Sequence, residues 1–187
     1  QDGSDLQHAS AELKNDKEVV LAAVRQNGFA LLYASPDLQN DKKFVLELIE
    51  LNGNVLMQAS AELKNDKEVV LAAVSKDGNA LMHADEFRSD RKVVMAAVNQ
   101  NGTALQYASE ELQKDKDFVL AAVRQNGFAL PYTNQFFRKD LEVVFVAALQ
   151  DVNALKYSRI DIREMLYIEK GTKTYYGKIV DKVLNKY

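Results

Sequence analysis

Six aspartates recur along the chain at nearly equal intervals, and their carboxylates could do chemistry. Successive members are 25 residues apart, except for one interval of 24. Carboxylates in register could bind calcium or act as an acid–base ladder, but stacked helices would hold them about 10 Å apart, too far to share one ion. Each aspartate also precedes an apolar run, where a carboxylate can cap a helix by accepting from its first amides. We therefore interpret as helix N-caps Asp16, Asp41, Asp66, Asp90, Asp115 and Asp140.

A second set of residues lies five positions after a recurrent glycine, and most of its members carry a ring. Stacked repeats would place these rings on one face. Tyrosine and histidine combine contact area with a polar tip, so the rings either pack between repeats or form a strip that binds a partner. Gln58 holds the same position. The candidate partner-binding strip is His8, Tyr33, His83, Tyr107, Tyr132 and Tyr157.

Basic residues directly follow five of the capping aspartates and could line an edge that binds RNA or an acidic partner. Acidic neighbours such as Glu18 and Glu68 alternate with them, which is typical of a solvated edge of mixed charge. Both interpretations stay open from the sequence. The candidate basic edge is Lys17, Lys42, Lys67, Arg91 and Lys116.

Composition narrows the chemistry further. The 187 residues include no Cys and two His, which excludes disulfides, thiolate zinc sites, cysteine nucleophiles and iron–sulfur clusters. The net charge of -3 argues against a general polyanion binder. No apolar run approaches the ~18 residues that a membrane span needs. We predict that the chain is not an enzyme, has no metal site or cofactor, does not span a membrane, and does not use nucleic acid as its partner.

These residues recur at equivalent positions, which we call columns, because the chain is built from repeats. Residues 9–24 and 59–74 are identical, and RQNGFAL at 25–31 returns at 124–130. Each unit has 25 residues, with an apolar helix after the aspartate and a shorter helix after the glycine. An Asn-Gly pair can also mark a β-hairpin. Here the segment before it contains paired alanines and does not alternate between apolar and polar residues, which favours the helix. One unit cannot bury its own apolar face, so the sequence predicts an all-α fold, an α-solenoid of about six 25-residue helical repeats with a C-terminal helical cap.

A glycine stands twelve residues after each of the first five aspartates. We predict that it ends the helix in the left-handed conformation that glycine adopts at a helix C-terminus. Val152 takes the sixth place. The predicted structural glycines are Gly28, Gly53, Gly78, Gly102 and Gly127.

The two ends of the sequence differ. The first three residues align with Gln100, Asn101 and Gly102, so the predicted array of residues 1–157 starts inside a repeat, and we expect more repeat upstream. The pattern fails from about residue 158, and residues 158–187 are predicted to form the helical cap.

The unit ASAELKNDKEVVLAAVRQNGFALLY at residues 9–33 resembles the helical repeat family catalogued as domain of unknown function 4116. The resemblance covers about residues 1–157. That family is associated with proteins of protists, including algae, and of bacteria that live inside them, typically as a stretch within a longer protein. The resemblance implies helical repeats and brings no activity, cofactor or catalytic residue.

These observations predict a non-catalytic helical-repeat scaffold that mediates protein–protein interaction as part of a longer protein. The alternative is an accessory structural subunit of a larger complex, for example an organellar one in a protist or alga. An enzyme region or an RNA binder is the least favoured interpretation.

Overall fold

A computed structural model describes residues 3–160, and these residues form helices without any strand. The chain divides into two compact units, residues 1–100 and 101–187. Short and long α-helices alternate through most of the described range. The α-helices are α1 (Ala11–Lys14), α2 (Lys17–Gln26), α3 (Pro36–Gln39), α4 (Lys42–Leu51), α5 (Ala61–Lys64), α6 (Lys67–Lys76), α7 (Arg91–Gln100), α8 (Glu110–Gln113), α9 (Lys116–Gln125) and α10 (Leu141–Gln150).

The long helices have ten residues each and form because an aspartate caps an apolar segment. In α6, the Asp66 carboxylate accepts from the amides of Glu68 and Val69, 2.9 and 3.2 Å away. Four residues of α6 are buried, namely Val69, Val70, Ala73 and Val74, and they lie on one side of the helix. The helix ends where Asp77 adopts an extended backbone. A ten-residue helix of this kind is stabilised mainly by the neighbours that cover its apolar surface.

The second element of each repeat is a 3₁₀ helix. The sequence predicted a short helix there without distinguishing the 3₁₀ form from the wider α form. Its bonds span three residues, as in Ala59 N–H to Leu56 O at 3.2 Å. The leucine three positions after the glycine is fully buried at Leu31, Leu56, Leu81, Leu105 and Leu130. The 3₁₀ helices are η1 (Gly3–His8), η2 (Ala30–Tyr33), η3 (Gly53–Gln58), η4 (Gly78–His83), η5 (Asp85–Phe87), η6 (Gly102–Tyr107), η7 (Gly127–Tyr132) and η8 (Val152–Tyr157).

Each unit packs its repeats in the same way. In the first unit, α4 contacts α2 and α6, α6 contacts α7, and η1 to η4 contact one another in succession. In the second unit, α9 contacts α10, and η6, η7 and η8 follow one another. The short helix joins neighbouring repeats through its backbone, since the Ser60 amide donates to the Gln39 carbonyl at 2.9 Å. These contacts confirm the predicted all-α repeat fold, while the predicted cap lies mostly at residues 161–187, outside the described residues.

The predicted role of the glycines is wrong. No described residue has a left-handed φ, and the long helix ends at an extended asparagine or aspartate one residue earlier. Except at Gly28, which precedes η2, the glycine instead begins the 3₁₀ helix. A Cβ added at Gly53 would lie 2.8 Å from the Ala73 carbonyl oxygen and 2.9 Å from the Asp77 amide nitrogen. The same approach to an alanine carbonyl 20 residues later recurs at Gly3, Gly102 and Gly127, so these four positions need glycine for space.

Candidate partner-binding surface

The capping aspartates also join neighbouring repeats. One carboxylate oxygen of Asp66 caps α6, and the other lies 2.7 Å from Lys42 Nζ of the preceding repeat. A lysine at the first position of one long helix thus reaches the aspartate that caps the next. The same pair recurs as Lys17–Asp41 at 2.6 Å, Lys67–Asp90 at 2.5 Å and Lys116–Asp140 at 2.9 Å.

These pairs favour the ionised form of Asp41 and Asp66 and the charged form of Lys42. The hydrogen bond from Lys42 lowers the pKa of Asp66, and the hydrogen bond from Lys17 lowers the pKa of Asp41. The pKa of Lys42 is raised by Asp66 first and by Glu68 second. Carboxylates with a lowered pKa stay ionised at neutral pH, which suits a cap and an ion pair rather than a proton donor.

The candidate basic edge is therefore an edge of ion pairs in the described structure. Lys17, Lys42, Lys67 and Lys116 each lie against an aspartate of the next repeat. Lys42 and Lys116 also contact a glutamate, Glu68 at 2.8 Å and Glu142 at 2.9 Å. Arg91 is exposed. These pairs between repeats were not predicted from the sequence, although each lysine precedes its aspartate by 23 or 24 residues.

The ring-bearing column is only partly exposed. Tyr132 is 40% exposed and His8 is exposed, whereas Tyr33, His83, Tyr107 and Tyr157 are half-buried. Burial lowers the pKa of His83, and the nearby positive charge of Lys64 lowers it further, so the imidazole is neutral at pH 7. In the part of the chain that the structure describes, no group of three or more metal-ligating side chains comes together.

Large apolar side chains are exposed on the 3₁₀ helices of the first unit. Leu32 is 57% exposed, Met82 is 42% exposed and Met57 is half-buried. All three lie four positions after the glycine in consecutive repeats, and η2, η3 and η4 pack in succession; we name these residues the apolar row. Phe29, 55% exposed, directly precedes η2, and its carbonyl accepts from the amide of Leu32 at 3.1 Å. The apolar row was not predicted from the sequence, because the candidate strip was placed on the ring-bearing residues one position later.

Gln58 stands out from the other members of the ring-bearing column. It is 4% exposed, and neither its Nε2 nor its Oε1 has a hydrogen-bond partner in the described structure. A buried amide without partners costs about 1–3 kcal/mol. This position therefore destabilises η3 where the other repeats carry a half-buried or exposed ring.

Among residues 3–160, no helix combines the length and the apolar character that crossing a bilayer requires. The family model named Domain of unknown function (DUF4116) matches residues 1–39, 41–88, 90–136 and 115–163. The matches follow one another along the repeat array and confirm the resemblance found in the sequence. No curated protein and no solved structure matches the chain.

Proposed function

The chain belongs to the DUF4116 family, and we propose that it is a non-catalytic helical-repeat scaffold that binds another protein through its 3₁₀ helices. The apolar row carries this proposal. Leu32 and Met82 expose large apolar side chains at equivalent positions of a rigid repeat stack. Apolar side chains that cluster on a surface are typical of protein-binding sites, and methionine adapts to different partners.

The state of the basic edge supports a protein partner over a nucleic acid. Phosphate binding depends on basic side chains that can neutralise the nucleic acid. Here the ammonium groups of Lys17, Lys42 and Lys67 already contact aspartates of the next repeat at 2.5–2.7 Å. An RNA chain would have to replace those pairs, whereas a protein could cover the apolar row without disturbing them.

The ring-bearing column adds to the proposed surface. Tyr132 is the tyrosine of this column with the largest exposed fraction, and tyrosine is enriched at protein interfaces because it brings contact area and a hydrogen-bonding tip. In η7 it is the residue next to Pro131, which takes the apolar-row position of that repeat. We propose that Tyr132 is a partner-binding residue of the second unit, and that the apolar row is the binding surface of the first.

The test is affinity capture from a native lysate of the source cells, with retained proteins quantified by mass spectrometry. The immobilised chain is compared with a Leu32→Gln, Met82→Gln double variant, which we expect to keep the fold because both positions are exposed. A Glu18→Gln, Glu68→Gln double variant, also at exposed positions, is the matched control. We expect proteins that the chain and the control retain and that the apolar-row variant loses.

Equal retention by all three proteins would contradict the proposal. Binding of RNA that weakens steeply with salt would favour the nucleic-acid interpretation instead. A single stoichiometric set of co-purifying subunits would identify the chain as a structural component of one assembly.

A further inference from the structure

We propose that Phe29 is a docking site for a protein segment that presents an aromatic ring beside a lysine. This inference rests on the proposed function and adds the chemistry of the partner. It follows from the heptapeptide RQNGFAL, which occurs twice in the chain, at residues 25–31 and 124–130. In one copy the chain covers the phenylalanine, and in the other copy it does not.

Phe128, in the second copy, is covered by the following repeat. The Tyr157 ring meets it edge-on, with centroids 6.2 Å apart and planes at 78°. Lys156 Nζ lies 5.6 Å from the centre of the Phe128 ring and 4.7 Å from the centre of the Tyr157 ring. Edge-on ring pairs and cation–π contacts of this geometry are favourable. Phe128 is half-buried as a result.

Phe29, in the first copy, has neither contact. Its side chain is 55% exposed, and no ring or cation pairs with it in the described structure. The residues that correspond to Lys156 and Tyr157, 28 and 29 positions later, are Met57 and Gln58. Gln58 has no ring and Met57 has no charge, so neither can form the ring pair or the cation–π contact seen at Phe128. The first unit thus presents the same phenylalanine without the ring and the cation that cover it in the second.

The net negative charge of the first unit favours a cationic partner. Residues 1–100 contain 11 basic and 16 acidic side chains. The end of α4 lies beside this turn, since a Cβ at Gly28 would meet the Asn52 side chain, and the exposed Glu50 is on the last turn of α4. A segment that supplies a ring and a lysine would reproduce at Phe29 the cover that Lys156 and Tyr157 give to Phe128.

Methionine methyl NMR on the full chain can test this inference. The chain has four methionines, so a methyl-labelled sample gives few signals. Met57 holds the position that corresponds to Lys156 and reports on the site, while Met95 in α7 is the internal reference. The probe is the synthetic peptide VNALKYSRI, the sequence of residues 152–160.

We expect the Met57 signal to move saturably as the peptide is added while the Met95 signal stays in place. A peptide with alanine for tyrosine should bind about tenfold more weakly, and one with glutamate for lysine about threefold more weakly, since each loses one of the two favourable contacts. The Phe29→Ser chain, changed at an exposed residue, should no longer respond to the peptide.

Two further variants exchange the states of the two copies. Gln58→Tyr should cover Phe29 from within the chain and abolish the response of Met57 to the peptide. Tyr157→Gln should uncover Phe128 and add a second site, so that a chain that binds one peptide now binds two. The methionine spectrum without peptide shows whether each variant is folded, and Phe29→Ser tests the site if Gln58→Tyr does not fold.

The inference is overturned if Met57 stays in place up to the solubility limit of the peptide, or if Phe29→Ser responds like the original chain. It is also overturned if Met57 moves with chain concentration alone, because a second copy would then occupy the site. If the peptide fails while lysate proteins still depend on Leu32 and Met82, only the assignment of Phe29 is wrong, and the proposed function stands.

Discussion

Residues 9–24 and 59–74 have the same sequence and different surroundings. Leu13 is 45% exposed, whereas its counterpart Leu63 is 4% exposed. Val69 is fully buried and Val19 is half-buried, and the alanines at the corresponding positions 23 and 73 differ in the same way. Identical residues therefore form a covered surface in one repeat and, among the residues that the structure describes, a more exposed surface in the other.

The local structure of the two copies is the same. Asp16 caps its helix with φ -91° and ψ 117°, and Asp66 does so with φ -89° and ψ 114°. What differs is the neighbour: α6 packs on the long helix α4 of the preceding repeat, and among the described residues α2 has only the 3₁₀ helix η1 on that side. The sequence of a repeat determines its helices and caps, and the adjoining repeat determines its burial.

The largest loss of stability is expected from a larger side chain at Gly53, where the repeat that contains residues 59–74 packs against the repeat before it. Gly53→Val should lower the free energy of unfolding by about 3 kcal/mol, because the new side chain would displace the backbone at Ala73. Gly28→Val is the matched control, since the nearest atoms to its Cβ belong to the Asn52 side chain, which can move. We expect the control to cost less than about 1 kcal/mol in urea unfolding. Equal losses would show that conformation, and not space, selects glycine in this column.

A substitution at the matched leucines tests the comparison directly. Leu63→Ala should cost about 2 kcal/mol, because it leaves a cavity in a covered surface. Leu13→Ala should cost about 0.5 kcal/mol or less, because the side chain is already half in water. Urea unfolding of both variants, monitored by circular dichroism, gives the two values. A loss at Leu13 as large as that at Leu63 would mean that the first copy is also covered in solution.

The smallest effect is expected at the capping aspartates. Asp66 pairs with Lys42, and no ion pair reaches Asp16 within the described residues. Since asparagine still caps a helix, Asp66→Asn should lower the melting temperature slightly and Asp16→Asn less. Lys42 retains its contact with Glu68, which limits the loss.

The pH dependence of this difference has a definite sign. The pKa of Asp66 is lower in the folded chain than its usual value of 3.8. Its stabilisation is therefore complete above about pH 5 and disappears as the pH falls through the folded pKa. Melting curves from pH 7 to 3 should show Asp66→Asn converging with the original chain in acid. A gap that widened in acid would contradict the ion pair as its cause.

Much of the fold could be predicted from the sequence because its signals are local. The aspartate column gave the starts of the long helices, and identical segments revealed the repeat. The glycine column was misread because glycine serves both left-handed turns and close backbone approach, and spacing alone cannot tell these apart. The contact of Gly53 with Ala73 depends on how two repeats stack, which no single unit encodes.

The candidate surface was less predictable for the same reason. Phe29 and Phe128 lie in identical heptapeptides, and the residues 28 and 29 positions later differ between the covered and the exposed ring. Exposure of Leu32 and burial of Gln58 likewise depend on stacking. A sequence pattern can place such residues in one column, but the difference within the column arises from the side chains of neighbouring repeats.

The pair Lys67–Asp90 has a consequence for how such a chain can change in evolution. This repeat is one residue shorter than the others, and the segment before Asp90 forms the 3₁₀ helix η5 in place of a short α-helix. The lysine still reaches the next aspartate, at 2.5 Å. The segment between the two long helices is thus one residue shorter, and the ion pair that joins these helices is retained. Gene duplication can therefore add such repeats, and a deletion can shorten the segment between two long helices without loss of the lysine–aspartate pair that joins them.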